Sequence, residues 1–409
     1  MIRRPAAHEL DAVLEIDEAS FSWKMSPAER ARAAESIEAG VVRVAELDGE
    51  LVGVLGASSA EMTCPGGALA RAVAVSNVAV LPTHRRRGVM SAMLAHLFDE
   101  VHGSGGALVV LYASEGGIYG RFGFAPASFA ATYRLERDAA RLRPIETGQP
   151  AVRLLRPAEA AEALPAVFDL ARRQRAGELE RSPGGWAALL EEPAGPVARF
   201  VAAAISAGEV AGYVIYEVVA QAPASRVRPE ESVADRLLRL VELVALDEGA
   251  YRALWSYLLD IDLVGALVTG PRPLDEPLRF LLEDPRALEV RRLEDHTWLR
   301  LLDVHRALCE RRYRAAGSLV IEISDGHCPW NAGRIALVVD PSGQASVAPS
   351  AAPPDLVCGI AGLAAGYLGA TSWRTLVRAG AVTAASAASL ARADLLFGTA
   401  EQPFCTPGF

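Results

Sequence analysis

The chain has 409 residues, of which 51% are hydrophobic and 22% are charged, so it can bury several cores and is too long for one ordinary domain. Its net charge of −9 argues against a general nucleic-acid binder and is compatible with cationic partners. The five cysteines lack metal-ligand spacing, and neither a signal peptide nor a membrane-length apolar run is present, so we expect a cytoplasmic protein without disulfides, metal site or membrane contact.

The first part of the chain predicts a short strand, two helices and a hairpin. Ser26 before Pro27, with Glu29 three residues after the serine, is typical of a helix start. Asp48-Gly49 joins two β-prone runs over residues 41–56 and predicts a hairpin. Between the two helices, Phe21 and Trp23 either pack in the core or line the entrance to a substrate site.

Residues 76–101 combine a strand, a basic turn and a helix. Strand-like alternation through Val80 ends at Pro82, and helical periodicity begins after Gly88. Three consecutive arginines, residues 85–87, precede that glycine. Backbone N–H groups at a helix start have no intrahelical acceptors and favour anions, so residues 85–91 predict a phosphate cradle. The alternative is a surface turn whose arginines are merely solvated.

A glycine-rich aromatic segment follows the next predicted strand. Residues 107–112 form a continuous apolar run, and residues 113–124, ASEGGIYGRFGF, contain four glycines around Tyr119. This segment is either a core aromatic cluster or the site of a catalytic tyrosine.

Two of these patterns resemble a known family. The order V-x-V-x-P-x-x-R-x-x-G is similar to the acyl-CoA signature of the GNAT superfamily of N-acetyltransferases, with Met90 where a small residue is usual. The pair PTHRRRG and ASEGGIYGRFGF resembles the enhanced intracellular survival (Eis) type of acetyltransferase. That resemblance implies acetyl-CoA as donor, small polycationic amines such as aminoglycosides or lysine side chains as acceptors, and a homohexamer.

The resemblance also implies the site residues. Tyr119 is expected to be the general acid for the leaving thiolate, and the terminal carboxylate of Phe409 the proton acceptor. A frayed, non-catalytic chain end is the alternative for Phe409. The residues expected to bind acetyl-CoA are Val78, Ala79, Val80, Arg85, Arg86, Arg87, Gly88, Val89, Met90, Ser91, Ser114 and Glu115.

The middle of the chain repeats the first part with a changed turn. A hairpin pattern over residues 200–216 and a strand-turn-helix pattern over residues 240–255 echo residues 41–56 and 76–101. In the second copy, Asp247 and Glu248 replace the arginines, and two carboxylates at a helix start repel a pyrophosphate. We therefore expect a degenerate second domain that lacks the cofactor and walls one side of the substrate cleft.

The last part predicts strands at residues 317–325, 334–340 and 344–347, followed by helices at 354–368, 373–379 and 384–396. By resemblance it is a sterol-carrier-like domain. The expected fold is α+β, with a catalytic GNAT domain over residues 1–148, a degenerate GNAT domain over 149–288 and the sterol-carrier-like domain over 289–409. The alternative function is a non-catalytic scaffold that kept this fold and binds acyl-CoA or lipid.

Overall fold

The computed structural model describes residues 1–38, 41–144, 148–193, 197–220 and 236–408. These residues form two compact units, one of Met1–Ser128 with His296–Ala400 and one of Phe129–Asp295 with Glu401–Gly408.

The described strands are β1 Ile2–Arg3, β2 Val42–Leu47, β3 Glu50–Thr63, β4 Leu69–Val80, β5 Leu108–Tyr112, β6 Ala125–Pro126, β7 Phe129–Glu136, β8 Ala151–Leu154, β9 Ala198–Ser206, β10 Glu209–Ala220, β11 Arg236–Ala245, β12 Ala266–Thr269, β13 Arg272–Pro273, β14 Glu289–Asp295, β15 Thr297–Leu301, β16 Gly317–Ser324, β17 Gly333–Val339, β18 Ala345–Pro349, β19 Leu356–Gly359 and β20 Val382–Ala384.

The described helices are α1 Leu10–Phe21, α2 Pro27–Glu38, α3 Val89–Gly103, α4 Gly116–Tyr119, α5 Pro157–Arg172, α6 Pro183–Leu190, α7 Glu248–Leu259, α8 Leu278–Leu281, α9 Val304–Glu310, α10 Ile360–Tyr367, α11 Trp373–Arg378 and α12 Ala387–Phe397. Across the described residues, no helix combines the length and the apolar character needed to cross a bilayer.

The first unit contains a seven-stranded sheet in the order β1-β2-β3-β4-β5-β15-β6. The predicted hairpin joins β2 and β3 through Asp48 and Gly49, both with positive φ (55° and 85°), as a tight hairpin turn requires. The predicted cap of α2 is present, because Ser26 and Glu29 exchange side-chain and backbone hydrogen bonds. Helix α3 packs its apolar side into the core against this sheet, with Met93, Leu94 and Phe98 almost fully buried.

The second unit repeats this plan in a sheet of order β13-β7-β12-β11-β10-β9-β8, with β14 also paired to β7. Its central strands β10 and β11 pair antiparallel, and β11 and β12 pair parallel, as β3, β4 and β5 do in the first sheet. The internal repeat seen in the sequence is therefore a repeat of structure.

The two sheets exchange strands, which the sequence patterns did not predict. Residues 129–135 were assigned to the first domain, but β7 pairs with β12 in the second sheet. Residues from 289 onward were assigned to the third domain, but β14 belongs to the second sheet and β15 lies beside β5 in the first. An apolar strand fits either sheet, so its pattern alone does not reveal its partner. The limits 1–148, 149–288 and 289–409 remain predictions about domain extent.

The last part of the first unit is a five-stranded sheet of order β18-β17-β16-β19-β20 with helices α10 to α12. The helix predicted over residues 354–368 begins only at Ile360, because residues 356–359 form strand β19 instead. Within this unit, the fully buried Arg300 of β15 pairs with Asp325, at 2.6 Å from Nη2 to Oδ2, and so fixes β15 to the connection after β16.

Candidate active site

Strand β4 continues beyond its pairing with β5. The two strands pair in parallel from Ala72 opposite Leu108 to Val75 opposite Leu111, whereas β4 stays paired with β3 as far as Val80 opposite Gly53. A bulge occurs where the β3 and β4 register shifts. There Asn77 has a φ of 48°, and bulges bend and twist a strand locally. Among the described residues, no strand pairs with the other edge of residues 76–80, and this edge is here called the opening.

The backbone N–H of Val80 faces this opening. The next amide along the chain, that of Leu81, donates to the carbonyl oxygen of Val52 in β3 at 2.9 Å. Successive amides of a strand point to opposite edges, so the Val80 N–H points away from β3 and toward the opening. Beside it, Val78 is half-buried and Ala79 is buried.

The cradle of residues 85–91 begins directly after β4. Gly88 is the N-cap of α3, with a φ of 80° and no side chain capping the helix. The first intrahelical bond runs from the Ala92 N–H to the Gly88 carbonyl, so the amides of residues 89–91 precede the helical ladder. Arg86 also has a positive φ, 63°, so the turn is tightly wound. The arrangement is an anion-binding helix start.

The three arginines of the cradle, residues 85–87, are exposed and carry little compensating charge. Arg87 lies 3.9 Å from Asp48, and the Arg85 guanidinium reaches the backbone carbonyl of Ser20 in α1 at 3.4 Å. They therefore remain available to phosphate oxygens. In the first turn of α3, Val89 is buried, Met90 is half-buried and packs against the core, and Ser91 is exposed.

Tyr119 lies at the same edge of the sheet. Strand β5 ends at Tyr112, and the exposed Ser114 and Glu115 lead into the short helix α4, which ends at Tyr119. Because β4 and β5 are parallel, the segments that follow their carboxyl ends emerge at one edge of the sheet. The structure thus brings the cradle and the Tyr119 segment to the same opening.

The environment of Tyr119 keeps its hydroxyl protonated. The residue is 6% exposed, and its ring meets that of Phe124 edge to face with centroids 5.9 Å apart. Burial raises the pKa of Tyr119 above its ordinary value, and the nearby carboxylate of Glu115 raises it further. A neutral tyrosine hydroxyl can donate a proton or a hydrogen bond to a departing thiolate.

A pocket of about 700 Å³ lies at the end of α1 and the start of its connection to α2. It is lined by Glu15, Glu18, Ala19, Ser22, Trp23 and Lys24. The Glu18 carboxylate accepts hydrogen bonds from the Lys24 ammonium at 2.5 Å and from the Arg30 guanidinium at 2.9 Å, and the Lys24 bond is the largest reason that the pKa of Glu18 falls to about 2. Trp23, 41% exposed, donates its indole N–H to Asp17 at 3.1 Å. Sequence reasoning singled out Phe21 and Trp23 but missed the glutamates, because carboxylates on an amphipathic helix look like any solvated face.

The histidine nearest the cradle in sequence is His84, whose Nδ1 lies 2.9 Å from the Thr83 hydroxyl. The expected proton acceptor, Phe409, lies outside the described residues.

In the second copy of the motif, the helix start is not open to a phosphate. At the start of α7, Asp247 is the N-cap and its carboxylate accepts the Ala250 N–H at 2.7 Å. The protein's own carboxylate thus sits at the helix start, where Gly88 leaves the first copy open. This geometry supports the prediction, made from the two carboxylates in the sequence, that the second turn does not hold a pyrophosphate.

Comparisons with known proteins agree with this architecture. Family models described as "Acetyltransferase (GNAT) domain" match residues 1–127 and 177–301, and a "Sterol carrier protein domain" model matches residues 304–406. The second model ends at Leu301 and so includes β15, which the structure places beside β5 in the first sheet.

Relatives cover nearly the whole chain. An uncharacterized N-acetyltransferase of Streptomyces coelicolor is 36% identical over 90% of this chain and 89% of its own. The N-acetyltransferase Eis of Mycobacterium tuberculosis is 33% identical over 86% of this chain and 84% of its own. The crystal structure of Eis1 from Mycobacterium abscessus superposes with a TM-score of 0.87 at 35% identity, covering all of both chains.

GNAT enzymes take their acetyl group from acetyl-CoA, and the residues present fit that donor: an open helix start with three arginines for the phosphates, and the edge of β4 beyond its pairing with β5 for the extended arm. The chain is therefore an N-acetyltransferase with two GNAT domains and a sterol-carrier-like domain, and it belongs to the Eis type of the GNAT superfamily.

Proposed function

We propose that this enzyme acetylates primary amines of small polycationic molecules, aminoglycoside-like compounds or lysine side chains among them. The observation that carries the proposal is the pocket at the end of α1, in which Glu18 already binds two cations, the Lys24 ammonium and the Arg30 guanidinium. Glu15 adds an exposed carboxylate, and Trp23 adds an aromatic face on which a cation can rest. A molecule with several ammonium groups would satisfy this pocket better than a monoamine.

The pocket is connected to the cradle through Arg85. Its guanidinium contacts the Ser20 carbonyl, one residue from Ala19 and two from Ser22, both of which line the pocket. An amine bound there would approach the end of β4, where the Val80 N–H is directed into the opening. This supports direct transfer, in which amine and thioester meet in one complex.

The proposed roles follow the charges that develop during transfer. The Val80 N–H would stabilise the oxyanion of the tetrahedral intermediate, and the Tyr119 hydroxyl would protonate the leaving thiolate. The cradle, with Ser114 and Glu115 beside it, would hold the donor. The carboxylate of Phe409 would accept the proton of the attacking ammonium, the role implied by the family resemblance.

A two-step measurement tests the proposal. Saturating acetyl-CoA is expected to stabilise the protein by about 2.7 kcal/mol at 100 times Kd, seen as a rise in Tm. Thiol release is then measured with spermidine, an aminoglycoside, a lysine peptide and butylamine. We expect kcat/KM for the polycations to exceed that for butylamine by about tenfold or more, a difference of about 1.4 kcal/mol. Equal values for all amines would contradict the proposed substrate class.

Phe409 is tested separately. Deleting it, or extending the chain beyond it, is expected to lower kcat by about 100-fold, the lower range for a lost acid or base, with acetyl-CoA binding unchanged. Thiol release and the acetyl-CoA Tm shift are the measurements. Full turnover in both variants would remove Phe409 from the mechanism.

The alternative that the sequence left open, a non-catalytic scaffold that binds acyl-CoA or lipid, is disfavoured by membership of the N-acetyltransferase family. A scaffold that binds acyl-CoA would still be stabilised by acetyl-CoA but would release no thiol, so thiol release separates the two functions. The homohexamer implied by the resemblance is part of the proposal and is measured by light scattering. The cytoplasmic location stays a prediction.

A further inference from the structure

The segment Glu401–Gly408, here called the tail, is packed into the second unit although it has no helix or strand. Phe404 is 4% exposed and Cys405 is fully buried. Chain ends without regular structure are commonly frayed, so this degree of burial needs specific contacts.

The connection between α5 and α6, residues 173–182, supplies those contacts. The Phe404 N–H donates to the Ala176 carbonyl at 2.9 Å, and Arg175 donates to the Gln402 carbonyl at 2.7 Å. From a second loop of the same unit, Asp275 accepts the Gln402 N–H at 2.8 Å. Hydrogen bonds from two loops of the second unit therefore hold the tail backbone.

Glu178 holds the last part of the tail. Its two carboxylate oxygens accept hydrogen bonds from a single residue, the backbone N–H of Thr406 at 2.8 Å and the Thr406 hydroxyl at 2.6 Å. Glu178 is 5% exposed, and burial raises its pKa to about 7 although the Thr406 bonds oppose that shift. A buried carboxyl group that loses its hydrogen-bond donors is costly, so Glu178 favours the seated tail.

The charged groups around Glu178 are already engaged elsewhere. Arg181 makes a salt bridge with Glu242 at 2.5 Å, and Arg272 makes one with Glu276 at 2.7 Å. Among the described residues, the hydrogen bonds of the Glu178 carboxylate go to Thr406. Glu178 is thus a receptor for the tail and not a member of an ion pair.

We infer that Glu178 is a positioning residue: it seats the tail, and displacement of the tail lowers the turnover that the carboxylate of Phe409 is proposed to support. The inference rests on the proposed role of Phe409. It gives the degenerate GNAT repeat a task in catalysis: its helix start no longer admits a phosphate, and its α5–α6 connection holds the tail instead.

Cys405 reports whether the tail is seated, independently of acetyl transfer. Its thiol is buried, so alkylation by N-ethylmaleimide requires the tail to leave. In Glu178→Ala we expect alkylation of Cys405, located by peptide mass mapping, to become at least about tenfold faster, because two hydrogen bonds to a carboxylate are lost. Glu178→Gln keeps an acceptor for the Thr406 N–H and should restore much of the protection. Glu162→Gln, at an exposed glutamate of α5, is the matched control and should not differ from the parent protein.

The kinetic readout distinguishes positioning from folding. Glu178→Ala is expected to lower kcat about tenfold with KM for acetyl-CoA unchanged, because the tail and not the cradle is displaced. Alkylation of the buried Cys358 monitors unfolding of the first unit, and the Tm of the variant monitors unfolding of the protein as a whole. If Glu178→Ala accelerates alkylation of Cys358 as well, Thr406→Val replaces it; this variant removes one of the two bonds and should give faster Cys405 alkylation by about threefold.

Unchanged Cys405 alkylation in Glu178→Ala would overturn the inference. Faster alkylation with unchanged kcat would overturn the positioning role of Glu178, while deletion and extension at Phe409 decide the role of that residue. If the parent protein acetylates no amine, the proposed function fails, while Cys405 alkylation still decides whether Glu178 seats the tail.

Discussion

Tyr119→Phe is expected to lower kcat by about 100-fold or more, while KM for acetyl-CoA and the Tm shift on its binding stay within about twofold of the parent values. The substitution deletes one oxygen and keeps the ring that packs against Phe124, so the buried environment is preserved. Thiol release at saturating amine and donor measures the effect.

The matched control is Tyr112→Phe, at the end of β5, whose ring lies 4.8 Å from that of His296. Loss of this hydroxyl should leave kcat unchanged. The pH dependence gives a second check. The protonated form of Tyr119 is the active one and its pKa is raised, so its ionisation should not depress kcat below about pH 10. A Tyr119→Phe enzyme with parental kcat would show that the thiolate leaves without this acid.

The cradle was predictable because its parts are contiguous in the chain. A strand, three arginines, a glycine and an amphipathic helix occupy residues 76–101, and each local preference agrees with the others. The open N-cap at Gly88 follows from the same stretch, since glycine tolerates the observed φ of 80°. The Tyr119 segment was predictable for the same reason.

Strand exchange was not predictable from one sequence. Strands β7 and β15 are apolar segments that complete sheets far from their sequence neighbours, and period-two alternation carries no information about the partner strand. The predicted domain limits followed chain continuity, whereas hydrogen bonding follows the sheets. The family model that ends at Leu301 also follows chain continuity, because it includes β15, which pairs in the first sheet.

Contacts that depend on distant residues were likewise hidden. Glu178 and Glu180 are near neighbours in sequence, yet one is buried against Thr406 and the other is exposed. Their neighbours in the sequence do not reveal this difference in burial, because it arises from contact with a segment more than 200 residues away in the chain. The pocket glutamates Glu15 and Glu18 present the same difficulty. A single sequence reports which residues could act, and the fold selects among them.

Comparison of the two helix starts isolates what the cradle requires. Both lie in a strand-turn-helix unit, but Asp247 fills the start of α7 with its own carboxylate and Gly88 leaves the start of α3 open. The charge of the turn is inverted at the same time, from three arginines to two carboxylates. If an open, positive helix start is what binds the donor, one substitution that places a carboxylate at Gly88 should make the start of α3 resemble the start of α7.

Gly88→Asp is expected to raise KM for acetyl-CoA by about 100-fold, because an N-cap carboxylate would occupy the amides of residues 89–91 and repel the phosphates. A Cβ at Gly88 meets no atom within 4 Å, so packing is not disturbed. The φ of 80° adds a backbone cost of about 1 kcal/mol, which Asp and Asn tolerate better than other residues. Initial rates against acetyl-CoA concentration, with kcat recorded separately, measure the change.

The control is Gly88→Asn, which places the same demand on the backbone and the same cap at the helix start without the charge. We expect its KM for acetyl-CoA to rise only about tenfold. The remaining tenfold ratio of KM between Gly88→Asp and Gly88→Asn, equivalent to about 1.4 kcal/mol, then reports repulsion of the phosphates. Added salt should narrow that ratio, because it screens exposed charges. Equal KM values for Gly88→Asp and Gly88→Asn at low salt would mean that the cradle holds its ligand by shape alone, and the arginines beside Gly88 would lose their proposed role.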